Sequence, residues 1–293
     1  MRVLIFGATG LLGKDLMQAW RDDDIVTGLG SRDADIRNAE QVEAAVQRTR
    51  PDWIVLSAAY TDVDGCETNR ELAFAVNRDG AINVAKAAKA HRSNLLFVST
   101  DYIFDGKGTA PYETDHPRAP LGVYGHSKAQ AEEALLQILP DVCIARTSWL
   151  FGVHGKCFPD TILKLATTRK EIAVVTDQRG CPTYSVDLAR AIMQLCHANA
   201  KGVVHVTNRG DCSWFEFAKE ILKQASSETV VRPTTSDKFV RPAPRPAYSA
   251  LSPKSLERYG IAMPDWQDAL GRYFVEKRLK GVALGRAVPS DGE

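Results

Sequence analysis

The first half of the chain alternates short, continuously apolar runs with segments of helical periodicity. The runs at 2–8, 24–29, 53–59, 94–100 and 142–149 are rich in Val, Ile and Leu, which is typical of strands covered on both faces. Helical patterns lie between them at 11–21, 39–49, 68–91 and 125–138. Repeated β-α alternation with right-handed crossovers predicts an α/β fold, a doubly wound parallel sheet of the Rossmann-like type.

A glycine-rich turn, GATGLLG, follows the first predicted strand directly and leads into the first predicted helix. Glycine permits a tight turn and lets the backbone approach a pyrophosphate, which the start of the helix then stabilises. In this context the turn predicts a dinucleotide-binding site, although a plain strand-to-helix turn is the alternative. The predicted cofactor contacts of the turn are Gly7, Thr9, Gly10, Leu11, Leu12 and Gly13.

The end of the second predicted strand indicates which dinucleotide binds. Enzymes that select NAD usually carry an acidic residue there for the ribose 2′-hydroxyl, but this chain has Ser31 and Arg32 in the stretch GLGSRD. A hydroxyl and a guanidinium suit a 2′-phosphate. The sequence therefore favours NADPH, with NADH possible and with a solvated loop charge as the alternative role for Arg32. Asp35 and Ile36 are predicted to contact the adenine.

After about residue 150 the regular alternation of strand and helix patterns ends. Helical patterns at 158–169, 185–198, 213–225 and 264–279 are separated by apolar runs at 171–178 and 202–208 and by a proline-rich stretch at 241–253, which predicts an ordered loop. We expect residues 1–150 to form a dinucleotide-binding domain. Residues 151–280 are expected to form mostly a smaller C-terminal substrate-binding lobe, interleaved with extra elements of the main sheet, and the tail 281–293 to be disordered.

Composition and charge narrow the classes of function. A formal net charge of +1 gives no reason to expect nucleic acid or an anionic membrane as partner, and no apolar run is long enough to span a bilayer. The N-terminus lacks the pattern of a signal peptide. The six cysteines form no Cys-x-x-Cys pair and have no paired histidine at zinc spacing. We therefore expect free thiols and a cytoplasmic location.

A tyrosine and a lysine in VYGHSK, Tyr124 and Lys128, lie four residues apart in a helical pattern, so they share one helix face. They follow the fourth predicted strand, which ends at Thr100, and ligands of open α/β sheets bind beyond such strand ends. A nearby ammonium is expected to lower the pKa of the tyrosine and suit it to acid/base work. The same spacing recurs at Tyr273 and Lys277, where we expect only a pair on a helix surface.

Several stretches of this sequence together resemble the extended short-chain dehydrogenase/reductase family and, within it, the dTDP-4-dehydrorhamnose reductases. They are GATGLLG, LSAAYTDVDGCE, AVNRDGAINVAKAA, FVSTDYIFDG, PLGVYGHSKAQAE, RTSWLFG, DQRGCPT and RPAYSAL, spread over about residues 1–280. The resemblance implies that Thr100, Tyr124 and Lys128 are catalytic. It implies cofactor contacts at Ala58, Ala59, Thr61 and Lys128, and substrate contacts at Thr61, Val63, Tyr102, Trp149 and Arg245.

The activity implied by the resemblance is NADPH-dependent reduction of the 4-keto group of a nucleotide-linked 6-deoxyhexose, dTDP-4-dehydro-L-rhamnose to dTDP-L-rhamnose. Tyr124 would donate the proton, Thr100 would hydrogen-bond the same oxygen, and Lys128 would hold the ribose. Some family members are thought to bind Mg²⁺ through acidic residues at a dimer contact. Asp15 could match one of them and the others have no match here, so Mg²⁺ is possible but not supported by the sequence, and no metal ligand is predicted. The chain could be a monomer or a homodimer.

Two alternatives remain open. The first is a sugar-nucleotide dehydratase or epimerase of the same family. Dehydratases carry Thr-Asp-Glu at the end of the fourth strand, but here Tyr102 follows Asp101, so the glutamate that acts as base is missing. The second is a binding role without catalysis, since the regulatory subunit of a methionine adenosyltransferase also resembles these reductases.

Overall fold

The computed structural model describes residues 1–280, which are organised around a six-stranded parallel sheet. The strands of the chain are β1 (Arg2–Phe6), β2 (Ile25–Leu29), β3 (Trp53–Leu56), β4 (Asn94–Thr100), β5 (Cys143–Thr147), β6 (Leu150–Phe151), β7 (Glu171–Val175), β8 (Arg179–Gly180), β9 (Thr183–Tyr184), β10 (Gly202–His205), β11 (Cys212–Ser213) and β12 (Val230–Thr234).

The helices alternate with these strands along the chain. They are α1 (Leu11–Leu16), α2 (Ala39–Thr49), α3 (Val63–Thr68), α4 (Arg70–Phe74), α5 (Ala81–Ala90), α6 (Val123–Ile138), α7 (Phe158–Ala166), α8 (Ser185–His197), α9 (Trp214–Gln224), α10 (Lys254–Glu257) and α11 (Trp266–Leu279), with a π-helical turn at Ala75–Gly80. Among residues 1–280, no helix has the length and apolar character that crossing a membrane requires.

The order of strands in the main sheet is β10-β5-β4-β3-β1-β2. From β1 the chain goes to one side for β2 and then returns past β1 to β3 on the other side. The carboxyl ends of β1 and β3 therefore flank the point where the direction of winding reverses. Open α/β sheets bind ligands at this point, and the glycine turn lies directly after β1.

The main sheet is covered on both faces, as the continuous apolar character of its strands predicted. On one face, helices α2, α5 and α6 bury side chains such as Val42, Val84 and Leu135 against it. On the other face, α1 and α8 contribute Leu16 and Ile192. The doubly wound α/β fold predicted from the sequence is confirmed.

The second half of the chain adds one strand to the main sheet and forms smaller pairs of its own. Strand β10 lies beside β5, whereas β7 pairs with β12, β8 with β11, and β6 with β9. Helices α7, α9 and α11 share a further core with β7, in which Phe217 and Tyr273 are fully buried. The division of the chain at residue 150 into two functional units stays a prediction.

The helix expected at 68–91 runs without a gap from Arg70 to Ala90 as α4, the π-helical turn and α5, whose junctions keep a right-handed helical backbone. A separate helix, α3, precedes it and ends at Thr68, before Asn69, whose backbone is not helical. The π-helical turn then places Asn77 beside the loop after β3, where its amide bridges the backbone of Tyr60: Oδ1 accepts from the N–H (2.8 Å) and Nδ2 donates to the carbonyl (3.1 Å). Its Nδ2 also donates to Ser127 Oγ in α6 (3.0 Å). Periodicity alone cannot predict such a turn. The predicted disordered tail lies outside the described residues.

Candidate functional site

The glycine turn is tightly packed between β1 and the loop after β3. Gly7 has a φ of +94°, a region that favours glycine, and a Cβ there would lie 2.5 Å from the backbone nitrogen of Ala58. A Cβ on Gly13 would lie 2.0 Å from the carbonyl oxygen of Gly7. The backbone N–H groups of Gly7 and Ala8 donate to the carbonyl of Leu29 and join the turn to β2. Both glycines are therefore required by close approach of the backbone.

A cleft of about 810 Å³ opens at the carboxyl ends of the strands. Nearly all the residues predicted from the sequence come together in this cleft, although Gly7 and Trp149 are 142 positions apart along the chain. Those lining the cleft are Gly7, Thr9, Gly10, Leu11, Leu12, Gly13, Ser31, Asp35, Ile36, Ala58, Ala59, Thr61, Val63, Thr100, Tyr102, Tyr124, Lys128 and Trp149.

The three residues predicted to be catalytic come from two elements. Thr100 is the last residue of β4, and its Oγ1 donates to Asp101 Oδ1 (3.1 Å). Tyr124 and Lys128 lie one turn apart near the start of α6. The Lys128 ammonium donates to the carbonyl of Val98 (2.7 Å) and lies 3.8 Å from the centre of the Phe97 ring. Strand β4 thus carries Thr100 itself and, through the carbonyl of Val98, fixes the side chain of Lys128.

Burial sets the protonation states of the two groups in α6. Burial raises the pKa of Tyr124 above its usual value, and hydrogen bonding with Thr100 opposes the rise. Burial lowers the pKa of Lys128 to about 7, opposed by the negative charge of Glu132. The direction for Tyr124 is opposite to the one expected from the sequence, because desolvation outweighs the hydrogen bond with Thr100. The phenol is therefore protonated at neutral pH, the state from which a general acid donates.

Side chains beside the trio extend the site along one wall. The Tyr102 ring packs edge-on against Tyr124, with centroids 5.8 Å apart. Arg245 was predicted as a substrate contact, but it does not line the cleft; its guanidinium lies 5.7 Å from the Tyr102 ring. Arg245 Nη2 donates to Asp64 Oδ1 (3.0 Å), while Nη1 is buried without a partner among residues 1–280. Asp64 also pairs with Arg241 and so holds the proline-rich loop in place.

At the end of the cleft beside β2, the structure places the basic side chains differently from the expectation. Arg32 is exposed and does not line the cleft, because the turn after β2 directs it to solvent. Arg37, which the sequence did not single out, lines the cleft instead. Its guanidinium pairs with both carboxylate oxygens of Asp35, with Nη2 2.6 Å from Oδ2. Asp35, the predicted acceptor for adenine, is therefore paired with a cation. The basic residue that lines this end of the cleft is Arg37, not Arg32.

A buried ionic network under the site was also missed. Glu132, one turn after Lys128, accepts from Arg146 Nη2 (2.7 Å) and from Ser99 Oγ (2.6 Å). Glu132 and Arg146 are 0% and 2% exposed, and buried charges at such positions are rare unless they are paired. The signal available in the sequence was a charged residue inside a strand otherwise apolar, the arginine of CIART.

The second tyrosine–lysine pair does not lie on a helix surface, so that prediction was wrong. Tyr273 and Lys277 are 0% and 5% exposed. Both donate to Asp160 Oδ1, the tyrosine hydroxyl at 2.7 Å. Helix α11 turns this face into the core of the second half, where Asp160 satisfies both polar ends, and neither residue lines the cleft.

One cluster resembles a metal site in composition. Asp15, His154 and Glu276 each offer a ligand atom within 4.8 Å of the others. The Lys280 ammonium, however, lies 2.6 Å from Glu276 Oε1 and 3.0 Å from His154 Nε2, and Tyr184 donates to the other Glu276 oxygen. A positive charge therefore already lies against the donor atoms of two of the three residues, Glu276 and His154. The residues present do not fit the Mg²⁺ site that the resemblance made possible.

Residues 1–279 match the family model described as the RmlD substrate binding domain. The chain belongs to this family. It is 39% identical over 298 residues to the dTDP-4-dehydrorhamnose reductase of Mycobacterium tuberculosis, covering 99% of this chain and 97% of the relative. It is also 39% identical to a probable dTDP-4,6-dihydroxy-2-methyloxan-3-one 4-ketoreductase of Streptomyces antibioticus, over 94% of this chain and 95% of that one.

Solved structures of family members have the same fold. The dTDP-4-dehydrorhamnose reductase of Bacillus anthracis in complex with NADP superimposes with a TM-score of 0.91 at 40% sequence identity. The match covers 94% of this chain and 99% of that one. The agreement therefore includes both halves of the chain and the cleft between the strand ends.

Proposed function

We propose that this protein reduces the 4-keto group of a dTDP-linked 6-deoxyhexose with NADPH, converting dTDP-4-dehydro-L-rhamnose to dTDP-L-rhamnose. The observation that carries the proposal is the meeting of Thr100, Tyr124 and Lys128 in one cleft with the glycine turn. Membership of the RmlD family supports the substrate class, and relatives of about 39% identity are named as reductases of dTDP-4-keto sugars.

NADPH, when bound, supplies the hydride that reduces the carbonyl carbon. Tyr124 donates its proton to the carbonyl oxygen as general acid, so that ketone, NADPH and one proton give alcohol and NADP⁺. Thr100 donates a hydrogen bond to the same oxygen as negative charge develops on it. Lys128 holds the nicotinamide ribose and stabilises the phenolate that remains.

The remaining cleft residues receive binding roles in the same proposal. The backbone of the glycine turn holds the pyrophosphate, and Ser31, Asp35 and Ile36 contact the adenosine end. Ala58, Ala59 and Thr61 lie along the cofactor after β3. Residues 1–150 bind the cofactor and also carry Thr61, Val63, Tyr102 and Trp149, which contact the sugar nucleotide. Residues 151–280 form the substrate-binding lobe, in which Arg245 lies behind the Tyr102 ring without lining the cleft.

A dehydratase mechanism lacks its base in this site. The position after Asp101 is Tyr102, and burial raises the pKa of Asp101 to about 6. We also propose a cytoplasmic location, because the six cysteines are free and buried, and an assembly no larger than a homodimer.

The test is NADPH oxidation with dTDP-4-dehydro-L-rhamnose, run beside NADH. A reductase consumes one NADPH for each sugar converted, whereas a dehydratase or epimerase consumes none. Tyr124→Phe should retain NADPH binding and lose about 10²- to 10⁴-fold in kcat, the usual contribution of a general acid. Tyr259→Phe, the same change in a tyrosine that bonds only to the backbone of Lys201, should have wild-type activity. Near-normal turnover by Tyr124→Phe would refute the assignment.

A further inference from the structure

Trp149 lines the cleft, and its backbone has a conformation that is unfavourable for a bulky residue. Its φ is +45°, in the left-handed region that bulky side chains rarely adopt. It follows β5 after Ser148, whose hydroxyl donates to the carbonyl of Cys181 (2.6 Å). A residue in this conformation persists only where its surroundings hold it, so the partners of the indole decide where it lies.

The strongest of these partners is Trp214, the first residue of α9. The two indoles are stacked face to face, with ring centroids 3.5 Å apart and planes inclined by 5°. On another side, Gly180 lies so close that a Cβ there would be 2.5 Å from the Trp149 ring. The Trp149 indole is therefore clamped between a second indole and a residue that lacks a side chain.

Trp214 is itself fixed by its position in the fold. Ser213 and Glu216 form a capping box that defines the start of α9. The Phe158 ring packs against the Trp214 ring at 4.4 Å between centroids. Trp214 does not line the cleft, whereas Trp149 does. The stacked pair of indoles therefore connects the core of the second half to the wall of the cleft.

We propose that Trp214 is a positioning residue for the sugar nucleotide, which it affects by holding Trp149 against the substrate side of the cleft. The inference rests on the proposed function, in which Trp149 contacts the sugar. It assigns to the second half of the chain a specific means of shaping the substrate site while leaving the cofactor end untouched.

The experiment compares Trp214→Ala and Trp214→Phe in the wild-type protein and in a Trp149→Ala background. Loss of an aromatic stacking pair corresponds to an effect of about 2- to 10-fold. Trp214→Ala should raise the KM for dTDP-4-dehydro-L-rhamnose by this factor and leave the KM for NADPH unchanged. Trp214→Phe, which keeps an aromatic ring, should recover most of the loss. In the Trp149→Ala background, Trp214→Ala should have no further effect.

The matched control is Trp20→Ala, which removes a partly buried indole beside His197 and away from the cleft. It should leave both KM values unchanged. Equal increases in both KM values for Trp214→Ala, or a full effect in the Trp149→Ala background, would overturn the inference.

Calorimetric titration with dTDP-L-rhamnose in the presence of NADP⁺ separates this inference from the proposed reaction, because it needs no turnover. Weaker binding by Trp214→Ala, with recovery in Trp214→Phe, supports the positioning role even if the wild-type protein oxidises no NADPH, a result that would refute the proposed reduction alone. Equal Kd values for the wild type and Trp214→Ala overturn the positioning role whatever the activity.

Discussion

The buried pair of Glu132 and Arg146 gives a prediction whose size follows from its surroundings. The carboxylate accepts from the guanidinium at 2.7 and 3.0 Å and from Ser99 at 2.6 Å. Arg146 Nη1 also donates to the carbonyl of Thr114 (3.0 Å). Glu132→Gln removes the negative charge and turns an amide N–H toward a buried guanidinium, which then has no counter-charge in a site that excludes water.

Breaking a buried ion pair by removing one partner costs about 3–5 kcal/mol. For a chain of this size each kcal/mol lowers Tm by roughly 2–4 °C, so Glu132→Gln should lower Tm by about 6–20 °C. Glu113→Gln is the control, since Glu113 pairs with Lys254 at 2.7 Å but both are exposed. Such a surface pair is worth at most about 1 kcal/mol. Thermal unfolding followed by circular dichroism measures both variants.

A double-mutant cycle separates the pair from the general cost of substitution. Glu132→Met and Arg146→Met should each be strongly destabilising, while the double variant should lose less than the sum of the two, because apolar side chains can replace a buried pair at little cost. A fall in Tm for Glu132→Gln no larger than that for Glu113→Gln, or additive effects of the two methionine substitutions, would refute a strongly coupled buried pair.

Two further predictions concern the cofactor and the acidic cluster. If Arg37 binds the 2′-phosphate, Arg37→Ala should raise the KM for NADPH about tenfold or more, the value of a charge-assisted hydrogen bond, and leave the KM for NADH little changed. A larger increase in the KM for NADPH with Arg32→Ala would assign the 2′-phosphate contact to Arg32 instead. NADPH oxidation should be unchanged after treatment with EDTA, because the Lys280 ammonium already lies against Glu276 and His154. A loss of activity that Mg²⁺ restores would contradict this account of the cluster.

Local patterns in the sequence predicted the elements of the main sheet closely. The apolar run 94–100 coincides with β4, and the helical pattern 39–49 coincides with α2. Helix α2 also carries its own signals, since the Asn38 side chain accepts from the N–H groups of Glu40 and Gln41. The helix expected at 68–91 is present from Arg70 to Ala90, but it contains a π-helical turn that periodicity does not register.

Residue roles that depend on contacts between distant segments could not be predicted in the same way. The spacing Tyr-x-x-x-Lys occurs twice, and only the fold shows that the second tyrosine, Tyr273, lies in a core beside Asp160 rather than on a helix surface. Likewise Arg32 and Arg37 are both plausible bases near β2, and the course of the turn decides which of them reaches the cleft.

The sequence by itself determined the class of fold, the glycine turn and the three residues that meet beyond β4, because these follow from periodicity, backbone freedom and the rule that ligands bind at strand ends. The tertiary structure alone decided what supports them. The stack of Trp214 on Trp149 and the pairing of Glu132 with Arg146 join residues 65 and 14 positions apart. Such contacts depend on how helices pack on the sheet, a property of the assembled chain that no local stretch encodes.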